Sequence, residues 1–376
     1  MWRIGSTVLA IALAAYIGWQ LRSAPEAPTS PPVYTPPQSV STSTSNRAPR
    51  VEVIAENLTV PWELLFLPGG EMLVTERPGR LVFVKTGNII DVPNIRDIGE
   101  GGLLGAATHP QFSENNFLYL YQTTQSGLGV QNQIVRYRLQ NNELVFDRVL
   151  VDNLPGARYH DGGRLAFGPD GYLYATVGDA QSAHEAQDRD TLEGTIIRID
   201  EAGNPAPGNP FDTLVYSYGH RNPQGLAWDA HGNLWSSEHG RSVGGSGFDE
   251  INKIVPGGNF GWPDSQGDTV RPNTIAPTKH STANVTWAPG DLAYLDGTLY
   301  MPGLRGQTLY EAVLRDGKIV AWHEHLVDTY GRLRTVVVGP DGLLYVLTSN
   351  RDGRGDPETT DDRIIRINPD LLSESG

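Results

Sequence analysis

The 376-residue chain contains no cysteine, which excludes disulfide frameworks, thiolate metal sites and cysteine nucleophiles. Any bound metal must therefore be held by oxygen or imidazole ligands, and calcium is the leading candidate for an acidic, glycine-rich chain. The chain is also short of positive charge, with a formal net charge of −14 at pH 7. Because contacts to phosphate need a basic surface, this charge argues against a nucleic-acid-binding protein. An anionic small ligand would need a local basic patch.

Beyond residue 50 the sequence lacks any convincing amphipathic helical stretch. The chain has 43 glycines and 27 prolines, which recur at spaced positions, as is typical of many short strands and turns. One phrase occurs six times: an apolar strand, a turn containing Gly or Asn, and a second apolar strand. The turn residues that mark the repeat lie 45 to 65 residues apart and are Gly70, Asn116, Gly171, Gly232, Gly297 and Gly342.

Each repeat predicts a β-hairpin, because its turn supplies a residue suited to positive φ and the flanking apolar runs supply buried strands. Further strand-like runs lie between the hairpins, for example at 79–85, 133–139 and 194–200. Four strands per unit, repeated six times, predict an all-β protein: a six-bladed β-propeller with four-stranded antiparallel blades around a central channel. An extended β-sandwich or a pair of barrels is the alternative, although neither would repeat one hairpin six times at this spacing.

The one long apolar run, residues 4–21, is bounded by Arg3 and Arg22. It is typical of an export signal or a single membrane anchor at the short end of spanning length. Residues 23–50 have the Pro-, Ser- and Thr-rich composition of a disordered linker. We therefore divide the chain into a signal or anchor, a linker, the propeller and a short tail, with bounds 1–22, 23–50, 51–370 and 371–376. The absence of a small-x-small cleavage motif favours an uncleaved anchor, and the location is periplasmic or otherwise extracytoplasmic.

In a propeller, the loops that flank the inner strands meet at one end of the channel although they are far apart in sequence. Those segments gather four arginines and three histidines: Arg221, Arg305, Arg332, Arg334, His160, His220 and His239. Arginines facing one channel would repel each other unless an anion lies among them, so the set predicts a small polyanionic ligand. Taken singly, each arginine could instead pair with a neighbouring carboxylate on a solvated rim.

Two further features suggest chemistry at this end of the channel. His160 is followed by a Gly-Gly pair that lets backbone approach a ligand closely, and an imidazole there could accept a hydroxyl proton near neutral pH. A lone histidine is nevertheless commonly structural. The Asp249-Glu250 pair, followed by the glycine-rich stretch 257–261, offers hard oxygen ligands for calcium. It does not match an EF-hand loop, so a calcium site would be assembled from separate segments.

Several ordered motifs resemble those of the soluble PQQ-dependent sugar dehydrogenases (glucose/sorbosone dehydrogenase-like), in particular the aldose sugar dehydrogenase branch. They lie at 160–174 (HDGGRLAFGPDGYLY), 218–228 (YGHRNPQGLAW), 249–263 (DEINKIVPGGNFGWP) and 331–342 (GRLRTVVVGPDG). The resemblance covers about residues 51–369. It implies oxidation of an aldose at its anomeric carbon to the lactone, with hydride passing to pyrroloquinoline quinone (PQQ) and electrons then leaving to an external acceptor.

The resemblance also implies roles for single residues. His160 is expected to be the general base, with Asp179 near it. The residues expected around PQQ are Arg221, Asn222, His239, Gly240, Arg305, Arg332, Arg334 and Glu100. One Ca²⁺ that polarises the quinone is expected at the carbonyl groups of Gly240 and Arg241. A second, structural Ca²⁺ is expected at Glu250 and the Phe260 carbonyl, with Asp249 as a further candidate.

The chain departs from the better-known glucose enzymes at positions that line the pocket. Tyr159 stands where they carry an acidic residue, Glu100 and His239 where they carry Gln, and Arg305 where they carry Lys. The sugar that those enzymes oxidise is therefore not assigned to this chain. The resemblance also does not identify the electron acceptor or choose between a monomer and a homodimer. Two alternative functions stay open: a calcium-dependent lactonase, which would need carboxylate and Asn ligands in the channel, and an envelope-tethered binding propeller without catalysis.

Overall fold

The computed structural model describes residues 50–241 and 247–374, in which regular structure is almost entirely β. The strands in chain order are β1 (Val51–Ala55), β2 (Pro61–Phe66), β3 (Met72–Glu76), β4 (Arg80–Phe83), β5 (Ile89–Asp91), β6 (Leu103–Thr108), β7 (Phe117–Ser126), β8 (Gly129–Gln140), β9 (Glu143–Leu154), β10 (Leu165–Phe167), β11 (Leu173–Val177), β12 (Thr195–Ile199), β13 (Val215–Tyr218), β14 (Pro223–Trp228), β15 (Leu234–Glu238), β16 (Glu250–Ile254), β17 (Lys279–His280), β18 (Ala293–Leu295), β19 (Thr298–Pro302), β20 (Leu309–Arg315), β21 (Lys318–His325), β22 (Leu333–Val338), β23 (Leu344–Thr348) and β24 (Ile364–Ile367). The helical elements are short: an α-helical turn at Phe112–Asn115 and 3-10 segments at Glu185–Gln187 and Pro369–Glu374.

The strands form six four-stranded antiparallel sheets, which are the blades of a propeller. Blades 1 to 5 use consecutive strands, from β2–β5 in blade 1 to β18–β21 in blade 5. Blade 6 combines β22, β23 and β24 with β1 as its outermost strand, and Val51 lies opposite Ile367. The N-terminal strand therefore closes the ring. The predicted fold class is confirmed, and the sandwich alternative is wrong.

The repeated hairpins supply the two inner strands of each blade, as predicted. All six turn residues that mark the repeat adopt positive φ, between 55° and 85°: Gly70, Asn116, Gly171, Gly232, Gly297 and Gly342. This conformation is inexpensive for glycine and tolerated by asparagine.

Apolar side chains of neighbouring blades pack face to face and form the core between the sheets. The join between blade 1 and blade 6 shows the pattern, since Leu64 and Val74 of one blade cluster with Leu347 of the other. Phe66 of blade 1 also contacts Tyr345 of blade 6 edge to face, with 4.9 Å between ring centroids. The closure of the ring thus depends on hydrophobic burial as well as on the pairing of β1.

A buried ionic cluster closes the middle of the channel. Arg164, at the entry to blade 3, forms ion pairs with Glu63 of blade 1 and with Asp291 of blade 5, the latter at 3.1 Å. Its guanidinium also donates to the carbonyl oxygens of Gln224 and Gly290, each at 2.8 Å. A cavity of about 970 Å³ lies on the hairpin-turn side of this cluster, and one of about 630 Å³ lies on the opposite side.

The predicted anchor at 4–21 and most of the predicted linker lie outside the described residues. Within 50–241 and 247–374, no helix is long and apolar enough to cross a membrane. The division of the chain into anchor, linker, propeller and tail therefore stays a prediction.

We expect Arg164→Ala to lower the free energy of unfolding by about 3–5 kcal/mol, because it leaves two buried carboxylates without their counter-charge. Burial already raises the pKa of both Glu63 and Asp291 while Arg164 is present. Equilibrium urea unfolding followed by tryptophan fluorescence measures the change. The control Arg148→Ala, which removes an exposed ion pair with Asp147, should change the value by less than about 1 kcal/mol. Equal small losses in both variants would contradict the role of the cluster.

Candidate active site in the upper channel

The cavity of about 630 Å³, here called the upper cavity, is lined by loops from every blade except the first. Its charged lining is strongly unbalanced among the described residues, with five arginines and one carboxylate: Arg221, Arg305, Arg332, Arg334, Arg354 and Glu100. This local positive charge lies in a chain whose formal net charge is −14. The loops that the sequence predicted to converge do so, and they build a basic site.

Only two of the five arginines have a carboxylate partner among the described residues. Arg332 pairs with Asp352 at 2.8 Å, and Arg354 pairs with Glu100 at 2.8 Å. The three without such a partner are Arg221, Arg305 and Arg334. The sequence placed Arg332 with the ligand-binding arginines, and the structure shows that its charge is already matched within the protein.

Arg334 is the most deeply buried of the three unmatched arginines. One of its nitrogens donates to Gln224 Oε1 at 3.1 Å, while its Nε has no hydrogen-bond partner in the described part of the chain. Burial lowers the pKa of Arg334 to about 9 and also lowers the pKa of Arg221. Arg305 differs because its side chain is exposed at the mouth. The described residues therefore include guanidinium groups without a direct ion pair at several depths of the cavity, where a polyanion could bind them.

His160 lies in this cavity as part of a hydrogen-bonded dyad. Its Nδ1 is 2.7 Å from Asp179 Oδ1, and Trp262 Nε1 donates to Asp179 Oδ2 at 2.8 Å. On the other side of the ring, Arg221 Nη2 is 2.8 Å from His160 Nε2. Because a guanidinium can only donate, Nε2 is the acceptor and Nδ1 carries the proton that is given to Asp179. This tautomer directs an accepting nitrogen into the cavity, as a general base requires.

Backbone strain is concentrated around the same cavity. Four non-glycine lining residues have positive φ: His160 (66°), Gln181 (68°), Ala288 (50°) and Gln307 (48°). Such conformations cost on the order of 1–3 kcal/mol each and persist where the surrounding structure imposes them. At His160, the backbone N–H donates to Glu100 Oε2 at 2.9 Å, and the carbonyl accepts from Ala180 at 3.2 Å. A side chain at position 178 is excluded, because its Cβ would lie 1.9 Å from the His160 carbonyl oxygen.

Glu100 is the one carboxylate of the lining, and it stays ionised. Burial alone would raise its pKa, but the N–H of His160, the guanidinium of Arg354 and the charge that His239 acquires when it is protonated in acid outweigh burial and lower it to about 2. The carboxylate therefore anchors the strained backbone of His160 and the side chain of Arg354 at the same time.

His239 and Asn222 both carry buried polar atoms without a partner among the described residues, namely Nε2 of His239 and Nδ2 of Asn222. Burial lowers the pKa of His239 to about 3, so its imidazole is neutral. Asn222 Oδ1 accepts the N–H of Gly162 at 3.0 Å, which fixes the loop that carries His160. Of these two, only His239 lines the upper cavity.

The residues predicted to bind metal have different surroundings. Asp249 accepts three backbone N–H groups, from Gly240 (2.9 Å), Trp287 (2.6 Å) and Ala288 (3.0 Å), so its carboxylate organises the loops beneath the site. Gly240 is buried outside the cavity lining. Arg241 is exposed, and the next five residues, 242–246, are not among the described residues.

Glu250 lies opposite Glu238 across two paired strands, and both side chains are buried. Burial and the charge of Glu238 raise the pKa of Glu250. The Oδ1 atom of Asn252 is buried nearby in the same strand without a partner in the described residues. No three His, Asp or Glu side chains in the described ranges are placed to hold a metal, so a cation here would also need backbone oxygens.

Besides Asn222 and Gly240, which lie outside the cavity lining, the structure moves one histidine away from the site and adds an arginine to it. His220 does not face the cavity: it is fully buried, contacts Ser217 and Glu238, and stacks on Phe260 at 4.6 Å. The residue that the sequence analysis missed is Arg354, which lines the cavity from the loop between β23 and β24. Its position in a loop that follows an inner strand was the available signal.

Comparisons with known proteins agree with the fold. A family model described as Glucose / Sorbosone dehydrogenase matches residues 58–366. The chain is 30% identical over 340 residues to aldose sugar dehydrogenase YliI of Escherichia coli (strain K12), which covers 81% of this chain and 91% of that protein. The solved PQQ-bound aldose sugar dehydrogenase of Streptomyces coelicolor is 40% identical, with a TM-score of 0.77 and coverage of 84% and 97%. An oxidoreductase of Thermus thermophilus, named as a glucose dehydrogenase, is 46% identical, with a TM-score of 0.80 and coverage of 84% and 99%.

The depressed pKa of Glu100 predicts a pH-dependent contribution to stability. Its pKa rises from about 2 in the fold to the ordinary 4.5 on unfolding, so the contribution is complete above pH 4.5 and is lost as the pH falls towards 2. We expect the difference in unfolding free energy between the parent and Glu100→Gln to shrink by about 2 kcal/mol between pH 6 and pH 3. Urea unfolding at both pH values tests this, and a difference independent of pH would contradict it.

Proposed function

The chain belongs to the glucose/sorbosone dehydrogenase family, and we propose that it oxidises aldose sugars at the anomeric carbon to lactones with PQQ and Ca²⁺. The observation that carries the proposal is the presence around one cavity of three guanidinium groups that form no ion pair with a carboxylate of the described residues: Arg221, Arg305 and Arg334. PQQ is a planar tricarboxylate, so its charge matches this set. When bound, PQQ supplies the redox chemistry by accepting the hydride of the sugar, and the protein supplies binding and orientation.

The other residues of the site fit an anionic, hydrogen-bonding cofactor. His239 lines the cavity, and its buried Nε2 has no partner among the described residues, so a bound ligand would offset the desolvation of this atom. The buried Nδ2 of Asn222 also has no partner in the described part of the chain, but Asn222 lies outside the cavity lining. Arg332 would contribute less charge, because Asp352 already matches it, and it would mainly hold the loop that carries Arg354. The three unmatched arginines are therefore proposed as the principal ligands of the PQQ carboxylates and quinone oxygens.

His160 is proposed as the base that removes the proton of the anomeric hydroxyl through its Nε2. Asp179 accepts the Nδ1 proton at 2.7 Å, so it orients the ring and stabilises the imidazolium that forms. Arg221 lies 2.8 Å from the same Nε2 and must move aside before a hydroxyl can reach it. A bound anion gives the guanidinium of Arg221 an alternative partner, so occupation of the cavity also exposes the base.

Calcium is proposed at two positions, each using the oxygen ligands that Ca²⁺ prefers. At the carbonyl groups of Gly240 and Arg241, an ion would act as a Lewis acid towards the quinone. At Glu250 and the carbonyl of Phe260, an ion would relieve the repulsion between the adjacent carboxylates of Glu250 and Glu238, which supports the second position. Asp249 is better suited to organising loops, since three N–H groups occupy its carboxylate.

The two alternative functions have less support from the site. A lactonase would need several carboxylates in the channel, whereas the described lining of the upper cavity has one, and Arg354 neutralises it. A non-catalytic propeller would have no need for the tautomer that Asp179 imposes on His160. The apolar run at 4–21 and the linker composition support an extracytoplasmic location, so the oxidised sugar and the electron acceptor would be found outside the cytoplasm.

Reconstitution of the purified protein with PQQ and Ca²⁺ should give aldose-dependent reduction of an artificial electron acceptor, which EGTA treatment of the apo-protein prevents. His160→Ala should bind PQQ like the parent while its kcat falls about 10²–10⁴-fold, because proton removal loses its base. His231→Ala, on an exposed hairpin turn at the far end of the channel, is the matched control and should keep full activity. Absence of turnover with every aldose in the parent, or unchanged kcat in His160→Ala, would contradict the proposal.

Arg305→Met should raise the Kd for PQQ about 10–100-fold, because it removes a charged donor with no carboxylate partner of its own. The free energy of unfolding should stay unchanged for the same reason. A fluorescence titration with PQQ gives the Kd, and urea unfolding gives the stability. Arg138→Ala, in β8 and outside the cavity lining, should leave the Kd for PQQ unchanged, and a parent-like Kd for Arg305→Met would remove this arginine from the cofactor site.

A further inference from the structure

Arg354 connects two distant parts of the upper cavity wall. It lies in the loop between β23 and β24 of blade 6, yet its Nη1 is 2.8 Å from Oε1 of Glu100, which precedes β6 of blade 2. Blade 1 lies between these two blades, so the side chain spans the part of the mouth to which blade 1 contributes no lining residue. Its own loop is fixed, since the N–H of Arg354 donates to Asp352 Oδ1 at 2.9 Å and Asp352 Oδ2 binds Arg332 at 2.8 Å.

The wall continues through Tyr159, the residue next to the proposed base. Two guanidinium groups lie close to the Tyr159 ring, with Arg354 Cζ 5.6 Å and Arg158 Cζ 5.7 Å from the ring centroid. Arg158 Nε also donates to Tyr159 Oη at 3.1 Å. These contacts hold the tyrosine ring beside Arg354 at the cavity mouth.

The guanidinium of Arg354 has capacity left for a ligand. Only Nη1 is engaged by Glu100, and in the described part of the chain neither Nε nor Nη2 has an acceptor. The side chain is 47% exposed and lines the cavity. Glu100 accepts both Arg354 and the backbone N–H of His160, so the free donors of Arg354 lie on the same wall as the base.

We propose that Arg354 is a specificity-determining residue that limits the substrate to a single sugar unit. It closes the cavity beyond His160 and donates hydrogen bonds to sugar hydroxyls remote from the reacting carbon. A longer saccharide, oxidised at its reducing end, would have to pass its next unit through the space that Arg354 occupies. Glu100 is the positioning residue that holds Arg354 there. This inference rests on the proposed function, since it names the size of the substrate for that reaction.

The test compares a monosaccharide with a reducing disaccharide, glucose and maltose, in the PQQ- and Ca²⁺-loaded protein. Arg354→Ala should raise the ratio of kcat/KM for maltose to kcat/KM for glucose at least about 10-fold, because it opens the wall and removes donors to the single sugar. Glu100→Gln should shift the ratio in the same direction by releasing Arg354. Arg354→Lys, which keeps the charge near Glu100, should give an intermediate ratio, and Arg138→Ala should leave the ratio unchanged.

An unchanged ratio in Arg354→Ala would overturn the inference. This includes the case in which kcat/KM falls by the same factor for maltose and for glucose. Calorimetry on variants that also carry His160→Ala, and so do not turn the sugar over, gives the Kd for each of the two sugars and hence the ratio of the two Kd values. If the parent oxidises neither sugar, the proposed function fails, while the Kd ratio with and without Arg354 still decides the inference. Absence of any glucose binding in that background would overturn the inference as well.

Discussion

A buried guanidinium group has to be matched by negative charge, and two of the buried arginines along the channel, Arg164 and Arg334, are matched differently. Arg164 and Arg334 both pack on Trp62, with 4.3 Å and 5.6 Å from Cζ to the ring. Arg164 has the carboxylates of Glu63 and Asp291, and the resulting cluster connects blades 1, 3 and 5 across the middle of the channel. Among the described residues, the guanidinium of Arg334 donates a hydrogen bond to one acceptor, the amide oxygen of Gln224. The protein itself thus balances the positive charge of Arg164 in the middle of the channel. The positive charge of Arg334, in the upper cavity, would be balanced by a bound ligand.

The same electrostatic imbalance connects cofactor binding with the proposed base. Arg221 has no carboxylate partner in the described structure, and it donates to Nε2 of His160, the atom that would accept the substrate proton. Asp179 holds the opposite nitrogen of the ring, so His160 keeps its orientation when Arg221 turns towards an anion. Glu100 fixes the strained backbone of His160 from a third side and extends this support to Arg354 at the mouth. Binding, proton removal and access therefore depend on one connected set of side chains.

The architecture could be predicted because its information is local: each blade begins with a hairpin whose turn residue must adopt positive φ. The convergence of loops followed from propeller geometry, and it brought His160 and most of the arginines to one cavity. Features that depend on distant pairing could not be predicted. The strand starting at Val51 pairs more than 300 residues along the chain, Arg332 finds its counter-charge in the next loop, and Arg354 crosses to a different blade. His220 turned into the core for a similar reason, since its partner Glu238 lies on another strand.

The most direct test of the unmatched charge in the upper cavity is a titration of the metal-free protein with PQQ and with its trimethyl ester. The ester keeps the ring system and the quinone but lacks the three negative charges. If uncompensated arginines recruit the cofactor, PQQ binds with one molecule per chain and the ester binds at least about 100-fold more weakly. Equal affinity for the two compounds would contradict this, because binding would then depend on the shape of the ring rather than on its carboxylates.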